Sequence, residues 1–282
     1  MSNIPKFIKD FISSNNFEFR DVIQENTRKG TCVLKVFREN KFYILKFCQN
    51  NSPKEIRDKF IKEIDFYNKS NGKSVPSIIH QEKNILVLEY INGITLREVI
   101  IKNKLNVDLI DDLFLKIEQL YESGKRYSDN CNFDNAFSGL KVLIGSGPVQ
   151  TKNVQISLKR KILNKFLFFY LRKKLKRVIS KVSTLSLREG FVHGDFHYNN
   201  ILIEGNKAKF IDFENIQYNG FFEFDILFLL VMMEALLEDS NEKKYFQERI
   251  ENFLRANHNL EEIYKIYKEA IKFNNRFYMR DL

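Results

Sequence analysis

The stretch FVHGDFHYNNILIEGNKAKFIDFEN, residues 191–215, sets three oxygen-bearing side chains in a fixed order: Asp195, Asn200 and Asp212. Asp195 and Asn200 lie five residues apart in one loop, and Asp212 closes the hydrophobic segment after the next turn. A carboxylate and an amide on one loop, with a second carboxylate at the next strand end, supply one general base and two hard oxygen ligands. Oxygen ligands suit Mg2+, which keeps several waters and needs few protein groups. Upstream, Lys46 ends a strand-like segment and Glu63 lies on the helix after it. A fixed cation for α/β phosphates, a metal on phosphate oxygens and a carboxylate beside a hydroxyl are the parts that phosphoryl transfer needs. Taken alone, a loop aspartate is a turn former or helix cap, and a lone strand-end lysine is solvated. Glu55 and Asp65 share the helix of Glu63, which leaves three candidates for the partner of Lys46.

The elements that must position these groups follow from periodicity. Residues 4–12 read as a short amphipathic helix. DVIQ, TCVLKVFR and KFYILKFC alternate as antiparallel strands, joined by the polar turns ENTRKG and EN. Residues 53–70 read as a helix with Pro53 at its start and Asn71-Gly72 at its end. Ile56, Phe60, Ile64 and Tyr67 share one face of it. SIIHQEK and NILVLEYI add two strands, and a single connection at 86–92 leads onward. After Gly93 the chain reads as helices 95–105, 107–124 and 156–182, with a Gly/Ser/Asn-rich loop at about 128–150. NILIEG and AKFIDFE form a hairpin, and the last 60 residues are helical. The expected class is α+β and two-lobed. A sheet-rich N-lobe spans 1–90, a larger helical C-lobe spans 91–282, and a cleft lies between them.

HGDFHYNNIL followed by IDFE resembles the motif of the aminoglycoside phosphotransferase and choline kinase-like family, which has the protein-kinase-like fold. That family shows HGDxHxxNxL and then hydrophobic-Asp-Phe-Glu, and His193, Asp195, His197, Asn200 and Asp212 match it. The resemblance covers about residues 20–230. It implies Asp195 as catalytic base, Asn200 and Asp212 as Mg2+ ligands, and Lys46 on the α/β phosphates of ATP with Glu63 as its ion-pair partner. It further implies backbone contacts from Glu89 to Ile91 to adenine, a bracing role for His193, and Asp225 supporting the catalytic loop from the next helix. His197 either braces the loop or touches substrate. Glu214 faces solvent or the loop. The phosphate-covering turn departs from the kinase pattern: Gly30 is its only glycine, with Thr31 and Arg28 beside it. No arginine stands in HGD and no activation segment follows, so a protein-kinase activity is disfavoured.

Composition narrows the acceptor. The net charge is +10, and residues 151–181 hold eleven Lys/Arg and no Asp or Glu. A cationic segment beside the cleft is poorly matched to aminoglycosides, which are polycations. Choline favours aromatic cages with Trp, which this chain lacks, although its 27 Phe and 12 Tyr keep that option open. The expected acceptor is a small molecule or saccharide hydroxyl, with an anionic sugar or lipopolysaccharide-type glycan at the inner membrane face as the sharper reading. Lys/Arg interleaved with Phe and Leu over 156–181 suits contact with an anionic membrane. The plain alternative packs Ile162, Leu163, Phe166 and Leu167 on the C-lobe. Nucleic acid lacks a supporting motif. A catalytically inactive nucleotide-binding scaffold is the reading from another class. Cys32, Cys48 and Cys131 show no CxxC spacing and read as small buried hydrophobes of a reducing compartment. No signal peptide is read at the N-terminus, and no run approaches the ~20 residues of a spanning helix. The expected location is cytoplasmic, peripheral at the inner membrane if the basic segment docks there.

Overall fold

The computed structural model describes residues 4–26, 28–70, 72–124, 133–144, 158–182, 189–237, 240–256 and 260–278. Its N-terminal part is one antiparallel sheet in the order β1-β2-β3-β5-β4. The strands are β1 (Glu18–Asn26), β2 (Thr31–Arg38), β3 (Lys41–Cys48), β4 (Ile78–Glu82) and β5 (Ile85–Glu89). β2 and β3 meet at Glu39-Asn40, both at positive φ, which is the backbone of a tight two-residue hairpin. Helix α1 (Lys6–Ser14) covers one face of the sheet, burying Ile8, Phe11 and Ile12 against Leu34, Val36, Leu45 and Val87. Side chains alternate along a strand, so Ile44 and Lys46 project to the other face. That face meets helix α2 (Lys54–Ser70). β5 is buried on both faces, and its Leu86 and Leu88 join the second, larger core.

The helical part is built around α7 (Phe222–Leu236), nearly all of whose residues are buried, as expected of a helix that is apolar on all sides. Helices α8 (Asn241–Ala256) and α9 (Glu261–Tyr278) pack with it, and α4 (Val107–Gly124) packs against α8. Two small sheets fix the loops. β6 (Ile94–Thr95), β8 (Ile201–Glu204) and β9 (Lys207–Phe210) form one, and β7 (Glu189–Val192) and β10 (Gln217–Phe221) form the other. β6 and the β7–β10 pair were not evident in the sequence. Between β5 and β6 the chain runs so close to β8 that a Cβ on Gly93 would lie 2.4 Å from the Ile203 carbonyl oxygen.

The expected loop at 128–150 needs correction. Asp134–Leu143 forms a helix, α5, with Ala136, Leu140 and Leu143 buried at helical spacing; residues 125–132 and 145–157 lie outside the described residues. After α5 comes the basic helix α6 (Leu158–Val182). The start of the expected 156–182 helix also lies outside the described residues. Cys32 and Cys48 are buried, as expected, and Cys131 is not among the described residues.

Candidate active site

The site begins at the pairing of β7 with β10. β7 delivers the chain to His193-Gly194-Asp195, and β10 receives it after Asp212–Asn215, so one two-stranded sheet sets both loops side by side. Gly194 is at φ +78°, and a Cβ there would stand 2.7 Å from the Asn215 carbonyl oxygen. Only glycine allows that turn and that approach together. Asp225, in the first turn of α7, accepts hydrogen bonds from the backbone N–H of His193 (2.7 Å) and Gly194 (3.2 Å). It is buried, and burial pushes its carboxyl up to about 7 in spite of those two donors.

His193 is buried, and burial pushes it down to about 4, so its ring is neutral. Its Nε2 lies 3.1 Å from the Ile211 carbonyl oxygen and donates to it. Its ring also packs on Phe213 at 4.5 Å between centroids. His193 therefore braces both loops from below. His197 accepts the Asn199 N–H at Nδ1 (3.1 Å), which leaves its proton on Nε2, 3.4 Å from an Asp195 oxygen. Asn200 donates from Nδ2 to the Asp195 carbonyl oxygen (2.9 Å). Burial alone would raise the Asp195 carboxyl; His197 and Asn200 hold it below its ordinary value. The Ile211 N–H donates to the Asn200 carbonyl oxygen (3.0 Å), which places Asp212 next to Asn200.

Asp212 sits at φ +66°, a conformation uncommon for a residue other than glycine. There it meets Lys46, whose Nζ lies 3.2 Å from its Oδ1 and 2.5 Å from Glu63 Oε1. Burial would lower the Lys46 ammonium, but the Glu63 and Asp212 carboxylates outweigh it and hold Lys46 above the ordinary lysine value. Glu55 pairs with Lys59 and Asp65 with Lys69, so of the three candidates Glu63 is the partner of Lys46. Phe213 stacks on Phe66 of α2 at 4.3 Å and meets Tyr67 edge-on at 5.4 Å. These rings lock α2 to the Asp212 segment. Two further lysines reach the same segment: Lys29 to Glu214 (3.2 Å) and Lys59 to Asn215 (3.4 Å). The sequence does not signal either contact, because they join residues more than 150 positions apart.

A cavity under the sheet is lined by Lys29, Thr31, Lys46, Glu63, Asp212 and Glu214 among others. Gly30, Glu89 and Ile91 do not line it. Gly30 turns the chain at φ +65°, with its carbonyl oxygen bonded to Gln49 N–H and Ser52 Oγ. The Glu89 N–H is committed to the Ser77 carbonyl oxygen (2.9 Å), so that group cannot pair with a base. A second pocket opens beside Asp195, lined by Asp134, Asn135 and Ser138 of α5, Gln217 of β10, and Phe224 and Phe228 of α7. No Lys or Arg is among its lining residues. The reading from sequence missed α5, although Ala136, Leu140 and Leu143 carry the helical period that signals it.

No group of three or more His, Cys, Asp or Glu side chains suited to a metal occurs among the described residues. Asn200 and Asp212 nevertheless fit a Mg2+ that keeps its waters. The amide nitrogen of Asn200 is engaged by Asp195, which leaves its oxygen as the ligating atom, and Asp212 offers a carboxylate.

Residues 154–263 match the model of the "Phosphotransferase enzyme family". No curated protein matches the chain. Among solved structures, the aminoglycoside phosphotransferase APH(4)-Ia is similar with a TM-score of 0.55 at 12% identity, covering 95% of this chain and 89% of that one. An ethanolamine kinase of Plasmodium vivax gives 0.54 at 18% identity over 98% and 81% of the two chains. Aminoglycoside phosphotransferase APH(3'')-Id of Streptomyces rimosus gives 0.54 at 12% identity over 94% and 97%. The streptomycin–ATP ternary complex of APH(2")-IIa gives 0.50 at 16% identity over 100% and 90%. These likenesses fix the two-lobed kinase-like fold. The family match spans the stretch that carries the HGDFHYNNIL and IDFE motifs.

Proposed function

We propose that this protein transfers the γ-phosphoryl group of ATP to a hydroxyl of a small saccharide-type acceptor bound against Asp195, with residues 1–90 holding the nucleotide and 91–282 the acceptor. One observation carries the reading: Lys46, Glu63 and Asp212 converge from three elements, with Asn200 and Asp195 on the adjoining loop. Lys46 meets the α/β phosphates, and Glu63 keeps its ammonium aimed into the cavity. Asp195 accepts the proton of the acceptor hydroxyl as its oxygen bonds to the γ-phosphorus and the bond to the β-phosphate oxygen breaks, releasing ADP. Its depressed pKa keeps it ionised and ready at neutral pH. The His197 Nε2–H orients that carboxylate, and Asp225 holds the loop through the His193 and Gly194 amides. Asn200 and Asp212 would hold Mg2+, which when bound neutralises charge on the phosphate oxygens. The neighbour solved with streptomycin and ATP supports ATP as donor.

The acceptor divides into two parts. The pocket at Asp195 is lined by the carboxyl groups of Asp134, Asp195 and Asp225, the amides of Asn135 and Gln217, the Ser138 hydroxyl and apolar rings, and these polar groups suit a polyhydroxyl unit. The cations of α6 lie on the other side of α5, around Phe137, where they suit an anionic remainder such as that of a membrane-face glycan. A second reading rests on Asp134: a carboxylate in the pocket also suits the ammonium of an amino alcohol or aminoglycoside, as acted on by the kinases with this fold.

The test is Mg2+-dependent ADP release against aminoglycosides, choline, ethanolamine, neutral sugars, sugar phosphates and deacylated lipopolysaccharide core, with Asp195→Asn as control. Turnover on a saccharide supports the first reading, and turnover on an amine supports the second. ATP binding with no turnover on any acceptor would sink the catalytic reading.

A further inference from the structure

Helix α6 has two apolar sides. Its inner side buries Asn164, Leu171, Leu175, Val178 and Ile179 toward α5 and α9. Its outer side carries Ile162, Leu163, Phe166, Phe169 and Tyr170, and these are exposed: 70% for Phe166, 53% for Phe169 and 61% for Tyr170. The alternative that Ile162, Leu163, Phe166 and Leu167 pack on the C-lobe is thereby overturned for the first three, whereas Leu167 packs partly buried against the main core. Along the same outer stripe, toward the C-terminal end, come Lys173, Lys176 and Arg177. Residues 162–177 span roughly 22 Å of helix. Lys174 is tied to Glu269, but no carboxylate among the described residues pairs with Lys173, Lys176 or Arg177. α6 itself contains no Asp or Glu. Contiguous exposed aromatic residues of this kind mark an interaction surface rather than ordinary surface scatter.

We propose that the outer face of α6 docks on an anionic lipid surface. Phe166, Phe169 and Tyr170 enter the interface, while Lys173, Lys176 and Arg177 meet the headgroup charges. Charge selects this occupant. A second copy would set one uncompensated cationic stripe against another, which repels. A planar surface that is apolar beneath and anionic above meets both halves of the stripe at once. The proposal shares Lys173 and Lys176 with the anionic part of the proposed acceptor, but its test uses vesicles without acceptor or nucleotide, so it fails or stands separately from the catalytic reading.

The chain has no Trp, so Phe166→Trp creates a single fluorescent reporter on the stripe. The full-length protein is titrated with vesicles of phosphatidylcholine alone and of equal parts phosphatidylcholine and phosphatidylglycerol. The expected result is binding with a blue shift of Trp emission only on the anionic vesicles, weakened at 1 M salt, where the Debye length falls to about 3 Å. A Lys173→Gln/Lys176→Gln/Arg177→Gln protein, altered only at exposed positions, should bind roughly hundredfold more weakly with unchanged circular dichroism. A Phe42→Trp protein, labelled on the N-terminal sheet, should show no shift. Equal or absent binding on the two vesicle types overturns the proposal. So does self-association through the stripe in sedimentation. Tight binding of poly-glutamate with an unshifted Trp also overturns it and gives the face to an acidic protein.

Discussion

Lys46 and Glu63 form an ion pair of 2.5 Å in which the carboxylate is 1% exposed and the lysine 14%. A pair this deep is costly to break from one side, because the surviving charge is left without compensation. Lys46→Met should therefore destabilise the protein by about 3–5 kcal/mol and abolish turnover. Lys46→Met/Glu63→Leu should recover most of the stability in denaturant titrations and none of the turnover. If the double variant stays as unstable as the single one, the pair is not the cause of the loss.

Asp195→Asn keeps the size of the side chain and removes its charge. Turnover should fall by roughly 10²–10⁴-fold while nucleotide affinity, measured by calorimetry, stays near wild type. An equal fall in both would mean that the residue holds nucleotide rather than the acceptor proton.

The pH dependence of stability should carry the mark of His193. Its folded value is about 4 against 6.5 when unfolded. Between those values the unfolded chain binds a proton that the folded protein refuses, so this residue's contribution falls as pH drops from 6.5 to 4. The amount is roughly 3 kcal/mol, fully present above pH 6.5. Asp225 acts with the opposite sign: raised to about 7, it favours the folded state as pH falls from 7 toward 4. The two offset in the wild type, so the informative quantity is the difference between wild type and His193→Asn. That difference should shrink by roughly 3 kcal/mol from pH 6.5 to 4 in urea titrations. A constant difference would refute a neutral, buried His193.

Gly194→Ala should be disproportionately harmful for one methyl group. A left-handed backbone costs a non-glycine residue about 1–2 kcal/mol, and here the Cβ would also stand 2.7 Å from the Asn215 carbonyl oxygen. The loop must shift, and Asp195 shifts with it. Turnover should drop at least tenfold with a modest loss in melting temperature. Wild-type turnover would show that the loop position tolerates the displacement.

Much of this architecture is legible in local pattern. Alternation in TCVLKVF and KFYILKF marks β2 and β3, and the HGDFHYNNIL and IDFE segments mark the loops, because period and turn chemistry act over a few residues. Glu63 was also within reach: it shares a helical face with Ile56, Phe60 and Tyr67, and a carboxylate on an apolar stripe implies a buried partner. The α5 helix and the β7–β10 pair were harder. α5 sits among Gly, Ser and Asn, and β7 pairs with a strand some 25 residues later that has no pattern of its own.

The sequence by itself determined the set of reacting groups, their order and the class of chemistry, since residue type and short spacing are chemical facts. Only the tertiary structure decided that Lys46 also meets Asp212, that no lysine or arginine lines the pocket at Asp195, and that α6 turns its aromatic side outward. A helix with two apolar sides does not specify which one is buried. α5 and α9 make that choice by packing against Leu171, Leu175 and Val178.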